Sequence, residues 1–336
     1  MLLSPLGHVL LMKSSAIAHS NIALIKYWGR SSELNIPMND SISMTKQGLG
    51  DIELKAHTTI FFSKDYVKDV AFLNKKSLVD RNKERVLAVV NPLREMAGIN
   101  HKFMMASTND FPTQSGLASS AAGFAALAIA TSDALGLKLS KDDVSKYARL
   151  GSGSAARSVH GGFVHWHQGV DHETSYAEQL CGPTDFQMNA VIALVSDEPK
   201  TTTSDSGHTL AATSPLNNAQ IKKSQEHVVE LKKAILDDDF KTVGSIAEEN
   251  CKLMHAVMET SKPPLYYRNQ DTFKIMKKVE KARSRGLECY YTIDAGPNVH
   301  VLTRPENVEE VEKMLKGKTI RVKPAGDSGT TEEHLF

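Results

Sequence analysis

Pro112-Thr113-Gln114-Ser115-Gly116-Leu117-Ala118-Ser119-Ser120-Ala121-Ala122-Gly123 is a run of small residues that leads directly into an apolar stretch ending at Leu135-Gly136. The pattern predicts a helix from about Gly116 to Leu135, stopped by the glycine. Backbone N–H groups at the start of such a helix can approach phosphate oxygens only where side chains are small. The segment therefore reads as a phosphate cradle with Ser115, Gly116, Leu117, Ala118, Ser119 and Ser120 at its centre. It is not a Walker loop, because no Gly-Lys-Ser/Thr follows. A competing reading makes the small residues a packing device against a sheet. Ser119 and Ser120 contact phosphate or magnesium on the first reading and cap the helix on the second.

Three further segments carry chemistry. Gly151-Ser152-Gly153-Ser154-Ala155-Ala156-Arg157-Ser158 ends small residues on one strong cation, whose planar fork matches a carboxylate or phosphate. Ile293-Asp294-Ala295-Gly296-Pro297-Asn298 puts a carboxylate at the end of an apolar strand, where it orients a substrate hydroxyl, accepts its proton, or caps a turn. Asn21 and Lys26-Tyr27-Trp28-Gly29 add an amide, an ammonium and two aromatics. Lys26 is placed to neutralise transferred phosphate or to pair with Asp294; a lone lysine is otherwise a solvent-facing residue and Trp28 a core one. The thirteen histidines, His160, His165 and His167 among them, show no metal-ligand spacing and read as structural or surface.

Working outward, loose alternation predicts strands at 14–25 and 41–45, and two strands around a turn within 51–73. Helical spacing marks 81–97 and 141–150, with Ser140 as N-cap of the latter. Strands follow at 103–106, 162–167 and 188–195, two helical stretches lie within 227–258, and strands at 288–293 and 299–302 flank a Gly-Pro turn. A last helix at 308–315 precedes a polar tail. Residues 1 to 12 read as an extension ahead of an initiator at Met12. Strands and helices mix without regular βα alternation, so the fold class is α+β rather than a doubly wound sheet. A chain of 336 residues exceeds what one core serves well. A composition shift near 183–187 divides it into domains at 13–185 and 186–336.

Forty basic residues nearly cancel thirty-nine acidic ones, for a formal net charge of +1, so nothing marks nucleic acid or an acidic membrane as a partner. A small molecule is the expected partner. The three cysteines are too few and too widely spaced for a disulfide framework, which suits a reducing, cytoplasmic setting. Apolar stretches such as 121–130 are far shorter than the roughly 20 residues of a spanning helix.

Together these segments resemble the mevalonate diphosphate decarboxylases, a branch of the GHMP kinase superfamily. The likeness rests on 21–29, 112–127, 151–163 and 294–298. Weaker agreement at 200–207, 213–215, 254–256 and 263–264 extends it over nearly the whole chain. It implies an S5-like N-terminal domain that binds ATP, a ferredoxin-like C-terminal domain, and an active site between them. It also implies ATP-dependent phosphorylation of a tertiary 3-hydroxyl, loss of phosphate and decarboxylation to an alkene. Under the resemblance Asp294 takes the 3-hydroxyl, Arg157 the substrate carboxylate and Lys26 the developing charge. Asn21, Tyr27 and Ser154 lie near the substrate, while Ser119 and Ser120 serve the ATP phosphates and Mg2+. A homodimer is a family expectation.

Two departures bear on the substrate. Arg30-Ser31-Ser32 stands where many relatives have Lys-Arg-Asp, and Asn39-Asp40-Ser41 where they have Asn-Ser-Ser. A negative Asp40 beside a bound diphosphate would favour a less charged substrate, and archaeal-type phosphomevalonate decarboxylases show a similar Asp-Ser-Ile-Ser string. The 5-diphosphate is the first expectation and the 5-monophosphate the second. A small-molecule kinase that stops after phosphoryl transfer, and a nucleotide-binding sensor on the same fold, are the alternatives of other classes.

Overall fold

The computed structural model describes residues 2–3, 9–10, 12–31, 34–111, 117–195 and 204–336. Short strands β1 (Leu2–Leu3) and β2 (Val9–Leu10) pair with each other. The chain then enters β3 (Lys13–Ile25), the longest strand, which pairs with β4 (Ser41–Gly48) over its second half and β5 (Lys55–Ser63) over its first. β6 (Val70–Leu73) and β7 (Lys76–Ser77) form a small hairpin ahead of α1 (Asp80–Met96). β8 (Lys102–Asn109) returns beside β5.

Helix α2 (Ser119–Ala134) is almost all alanine along its buried faces, and this lets its backbone settle close on β3 and β5. Gly136, at φ 63°, ends it in the left-handed conformation and donates its N–H to the Asp133 carbonyl. In α3 (Lys141–Gly151) Ser140 caps the Asp143 N–H as the sequence predicts. A 3-10 turn at 153–158 leads to β9 (Phe163–Trp166) and β10 (Ala177–Cys181).

β11 (Asn189–Ala193) begins the second half, followed by the short α4 (Ser204–Leu210), then α5 (Asn217–Leu236) and α6 (Phe240–Thr260) packed as a pair. α7 (Gln270–Arg283) carries a capping box between Asn269 and Thr272. β12 (Cys289–Thr292), β13 (Val299–Thr303), α8 (Val308–Leu315), β14 (Thr319–Pro324) and β15 (Gly329–Thr331) complete the chain.

Among the described residues, thirteen strands form one sheet, ordered β12-β13-β11-β14-β4-β3-β5-β8-β6-β7, with β9 on β4, β10 on β9 and β15 on β3. The fold is thus α+β, as expected. β3 feeds two cores: Ala16 and Ala18 lie against α1 and α2, whereas Ile22, Leu24 and Ile25 lie with α5 and α6. β11 is buried on both faces, Ala190 and Ile192 toward α5 and α6, Val191 and Ala193 toward α7 and α8. This explains its unbroken apolar run. No helix among the described residues is long and apolar enough to cross a membrane.

Several readings need correction. The polar tail after residue 315 is β14 and β15, and the Ile320/Val322 alternation that marks β14 is only two residues deep. α5 starts ten residues earlier than expected, at Asn217, on a first turn with few apolar residues. α4, α7 and β10 were not anticipated. Met12 is drawn into the sheet by its backbone, which accepts from the Phe62 N–H and donates to the Ala134 carbonyl.

Candidate active site

Four chain segments converge on a cleft of about 260 Å³. The end of β3 delivers Lys26, Tyr27 and Trp28; the start of α2 delivers Ala118, Ser119 and Ser120; the 3-10 turn delivers Ser154 and Arg157; and the residue after Ile293 is Asp294. Asn21 also lines the cleft. Ser115 and Gly116 lie outside the described residues. Leu117 is buried in the core with Ile22 and Phe163 and does not line the cleft.

Lys26 Nζ donates to Asp294 Oδ1 at 2.6 Å and to the Ala23 carbonyl at 2.8 Å. The lysine is held from behind: its N–H donates to Asn250 Oδ1 at 2.8 Å and its carbonyl accepts from Asn39 Nδ2 at 3.0 Å. Burial alone would raise the Asp294 carboxyl, but Lys26, with smaller help from His300 and Lys46, outweighs it and holds the group down at about 2. Behind this pair Lys46 Nζ and His300 Nε2 meet at 3.2 Å, fully enclosed. Burial, assisted by the nearby Lys26 charge and opposed by Asp294, brings Lys46 down to about 8, and burial pushes His300 well below its ordinary value.

Arg157 is 3% exposed. Its guanidinium donates to Ser41 Oγ at 2.8 Å and Asn21 Oδ1 at 3.4 Å and lies 5.5 Å from the centre of the Trp166 ring. Nε has no hydrogen bond. Burial lowers the group to about 10, against the pull of Asp294 and Tyr27, which leaves it cationic at neutral pH. A buried cation held by neutral acceptors is short of an anion, and the cleft opens on it. Asn21 is oriented in turn by donating to the Ser154 carbonyl and to Ser158 Oγ.

Tyr27 stacks on His208 with ring centres 4.2 Å apart and meets Trp166 edge-on at 4.7 Å. Gly153 is required beneath it, since a Cβ there would come within 2.6 Å of the Tyr27 hydroxyl. Ser154, Ser152 and Ser120 form a loose chain of hydroxyls, at 3.5 and 3.4 Å, running from the Arg157 end to the start of α2. Ser119 and Ser120 are the first two residues of that helix and not its caps; Ala118 is the N-cap, left-handed at φ 62°, and makes no side-chain capping bond. The Ala121 N–H donates to the Ala118 carbonyl at 3.0 Å, and the N–H groups of Ser119 and Ser120 are those that a helix start offers to an anion. The two serines add hydroxyl oxygens suited to a hard cation such as magnesium.

Asp40 is turned to His165 and Gln168 and not to the cleft. Its Oδ2 accepts from His165 Nε2 at 2.8 Å, its Oδ1 accepts from the Gln168 N–H at 2.8 Å, and it does not line the cleft. The charge argument for a less anionic substrate loses its footing. Sequence reasoning missed Ser41, Lys46, Asn250, His208 and His300, each of which acts through a partner more than 100 residues away. A second pocket, of about 200 Å³, was also unmarked: mostly apolar, it shares Arg85, Ser119 and Ser120 with the cleft and is walled by Leu73, Val86, Met105 and Phe124.

Comparison with known proteins places two family models on the chain. The diphosphomevalonate decarboxylase-like N-terminal domain matches residues 18–177 and the mevalonate 5-diphosphate decarboxylase C-terminal domain matches 190–332. The chain is 38% identical to the diphosphomevalonate decarboxylase of Debaryomyces hansenii, over 89% of this chain and 81% of that one. It is 31% identical to the phosphomevalonate decarboxylase of Haloferax volcanii, over 96% and 97%. Among solved structures, the mevalonate diphosphate decarboxylase from Staphylococcus aureus superposes with a TM-score of 0.90 at 36% identity, covering 96% of this chain and 98% of that one. MDDEF in complex with MVAPP, AMPPCP and magnesium superposes with a TM-score of 0.88 at 35% identity, covering 96% and 99%.

Proposed function

Because this chain belongs to the diphosphomevalonate decarboxylase family, we propose that it converts mevalonate 5-diphosphate to isopentenyl diphosphate with ATP and Mg2+. The single observation that carries the assignment of roles is the placement of Asp294, with Lys26 against it, and Arg157 on one cleft that also receives the start of α2. Carboxylate anchoring, hydroxyl orientation and charge neutralisation are distinct tasks, and each has its own group.

Arg157 anchors the substrate carboxylate, supported by Ser41 and Asn21. Asp294 accepts the hydrogen bond of the 3-hydroxyl. A carboxylate with a pKa of about 2 is a weak base, so its task is to aim the oxygen and to take the proton only as the new O–P bond forms. Lys26 holds that carboxylate in place and offsets negative charge as the phosphoryl group arrives. Phosphate then departs with the electrons of the C–O bond, and the electron pair released as carbon dioxide leaves becomes the alkene. Arg157, Asn21 and Tyr27 keep the carboxylate aligned with that breaking bond. Magnesium supplies charge neutralisation for the nucleotide phosphates when bound. Ser119 and Ser120 would hold the metal and phosphates, and the apolar pocket beside them would take the adenine.

On this reading residues 13–185 are the ATP-binding domain and 186–336 contribute Asp294. Three free cysteines suit a cytoplasmic setting, and the assembly expected from the family is a homodimer. The test is an ADP-release assay with trapped carbon dioxide, run in parallel on mevalonate 5-diphosphate and 5-phosphate. ADP, phosphate and carbon dioxide in equal amounts from the diphosphate support the proposal. Faster turnover of the monophosphate overturns the substrate, and ADP without carbon dioxide overturns the reaction.

A further inference from the structure

Outside the cleft, β9 and the residue after it place His165 and His167 two positions apart, on one face of the strand. Their rings lie 4.0 Å apart, and Asp40, from 125 residues earlier in the chain, closes over them. Each of the three brings a ligand atom within 4.8 Å of the others. Asp40 Oδ2 is 2.8 Å from His165 Nε2 and 4.0 Å from His167 Nδ1. Donor atoms around a tetrahedral Zn2+, at about 2.0–2.1 Å from the metal, are separated by roughly 3.4 Å, between these two spacings.

The surroundings resemble what metal-binding imidazoles require on their far side. A ligating histidine normally gives its second ring N–H to a carboxylate. Here Glu178 Oε1 stands 2.9 Å from His167 Nε2 and 3.6 Å from His165 Nδ1. His167 Nε2 is buried against Glu178, which leaves its Nδ1 on the side of Asp40. The Gln168 N–H holds the other oxygen of Asp40. Side chains of Asp40 and His167 are 31% and 29% exposed, which leaves an entry path.

We propose that Asp40, His165 and His167 form a binding site for a Zn2+-class metal ion, separate from the nucleotide magnesium, with Glu178 fixing the imidazoles. Two imidazoles and a carboxylate favour zinc or cobalt over magnesium, which takes oxygen ligands. Loading the site moves the His165 proton from Nε2 to Nδ1 and displaces Lys232, whose Nζ now lies 3.4 Å from Nδ1. The metal would brace the platform of the substrate-anchoring arginine, because Asp40 precedes Ser41 and Trp166 stands between the two histidines. Both Ser41 and Trp166 contact Arg157.

The experiment is equilibrium dialysis of chelator-stripped full-length protein against Zn2+ with metal analysis, together with Co2+ absorption spectra, for wild type, His167→Gln and Glu178→Gln. One equivalent of metal in wild type, a tetrahedral Co2+ spectrum, loss of binding in His167→Gln, and about 10- to 100-fold weaker binding in Glu178→Gln are expected. No binding by wild type overturns the proposal. Equal binding by His167→Gln, meaning an adventitious ion only, overturns it as well. None of these readouts depends on the identity of the substrate.

Discussion

Lys26 Nζ and Asp294 Oδ1 are 2.6 Å apart, with the lysine side chain 1% exposed and the aspartate 36% exposed. The pair is therefore lopsided: the cation is locked in the protein and the anion faces the cleft. Asp294→Asn keeps the shape and removes the charge. Turnover is expected to fall by about 10²- to 10⁴-fold, with nucleotide affinity little changed because the start of α2 is untouched. Steady-state kinetics alongside a nucleotide titration check this, and near-normal turnover would exclude Asp294 from the chemistry.

The low pKa of Asp294 has a definite sign. A carboxyl at about 2 in the folded protein and about 3.9 unfolded contributes stability that is complete above the unfolded value and is lost as pH falls toward 2. Lys26→Met removes the largest lowering influence, so burial takes over and the carboxyl rises. The acid limb of the pH–rate profile should then move upward relative to wild type, measured by kcat/KM from pH 4 to 8. An unmoved limb would mean that Lys26 does not set the Asp294 charge.

Arg157 uses two different nitrogens on Ser41 and Asn21, and an ammonium cannot reproduce that fork. Arg157→Lys is expected to raise KM by about ten- to a hundredfold, the worth of a lost charged hydrogen bond. The change is read from initial rates at varied substrate, and a KM equal to wild type would contradict the anchoring role.

Lys46 titrates lower in the fold than in the unfolded chain, at about 8 against about 10.4. The unfolded chain binds the extra proton between those values, so this group makes stability rise with pH across that window. Lys46→Met should flatten the rise in melting temperature from pH 8 to 10 and raise stability at neutral pH. Parallel melting curves for the two proteins across that range would refute it.

Gly153→Ala puts a methyl group within 2.6 Å of the Tyr27 hydroxyl. Overpacking of this kind costs about 1–3 kcal/mol, and here it tilts Tyr27 off His208. A lower melting temperature together with a higher KM is expected, and loss of stability with unchanged KM would separate Tyr27 from substrate binding.

Lys26, Arg157 and Asp294 could be singled out because they stand in short segments rich in small residues or turns that together, in order, resemble one family. Lys46 could not. In Ser41-Ile42-Ser43-Met44-Thr45-Lys46 alternation puts it on the face of Ile42 and Met44, yet a lysine near a strand end ordinarily reaches solvent, and here it meets His300 beside the Lys26–Asp294 pair instead. His300 comes from 254 residues further along the chain, so no local pattern could announce the contact. His165, His167 and Asp40 were equally hidden, since their meeting depends on β4 pairing with β9. The limits of α1, α3 and α8 were legible because helical spacing and, in α3, the Ser140 cap act locally.

The pairing of β15 with β3 also bears on how the molecule is made. Ser15 Oγ meets His334 Nδ1 at 2.7 Å across 319 residues, and Thr59 Oγ1 accepts from the Leu335 N–H at 2.9 Å. The layer built on β3 thus lacks one of its strands until a segment about 319 residues further along the chain has been made. While translation proceeds, one side of β3 stays open as an edge that another nascent chain could occupy.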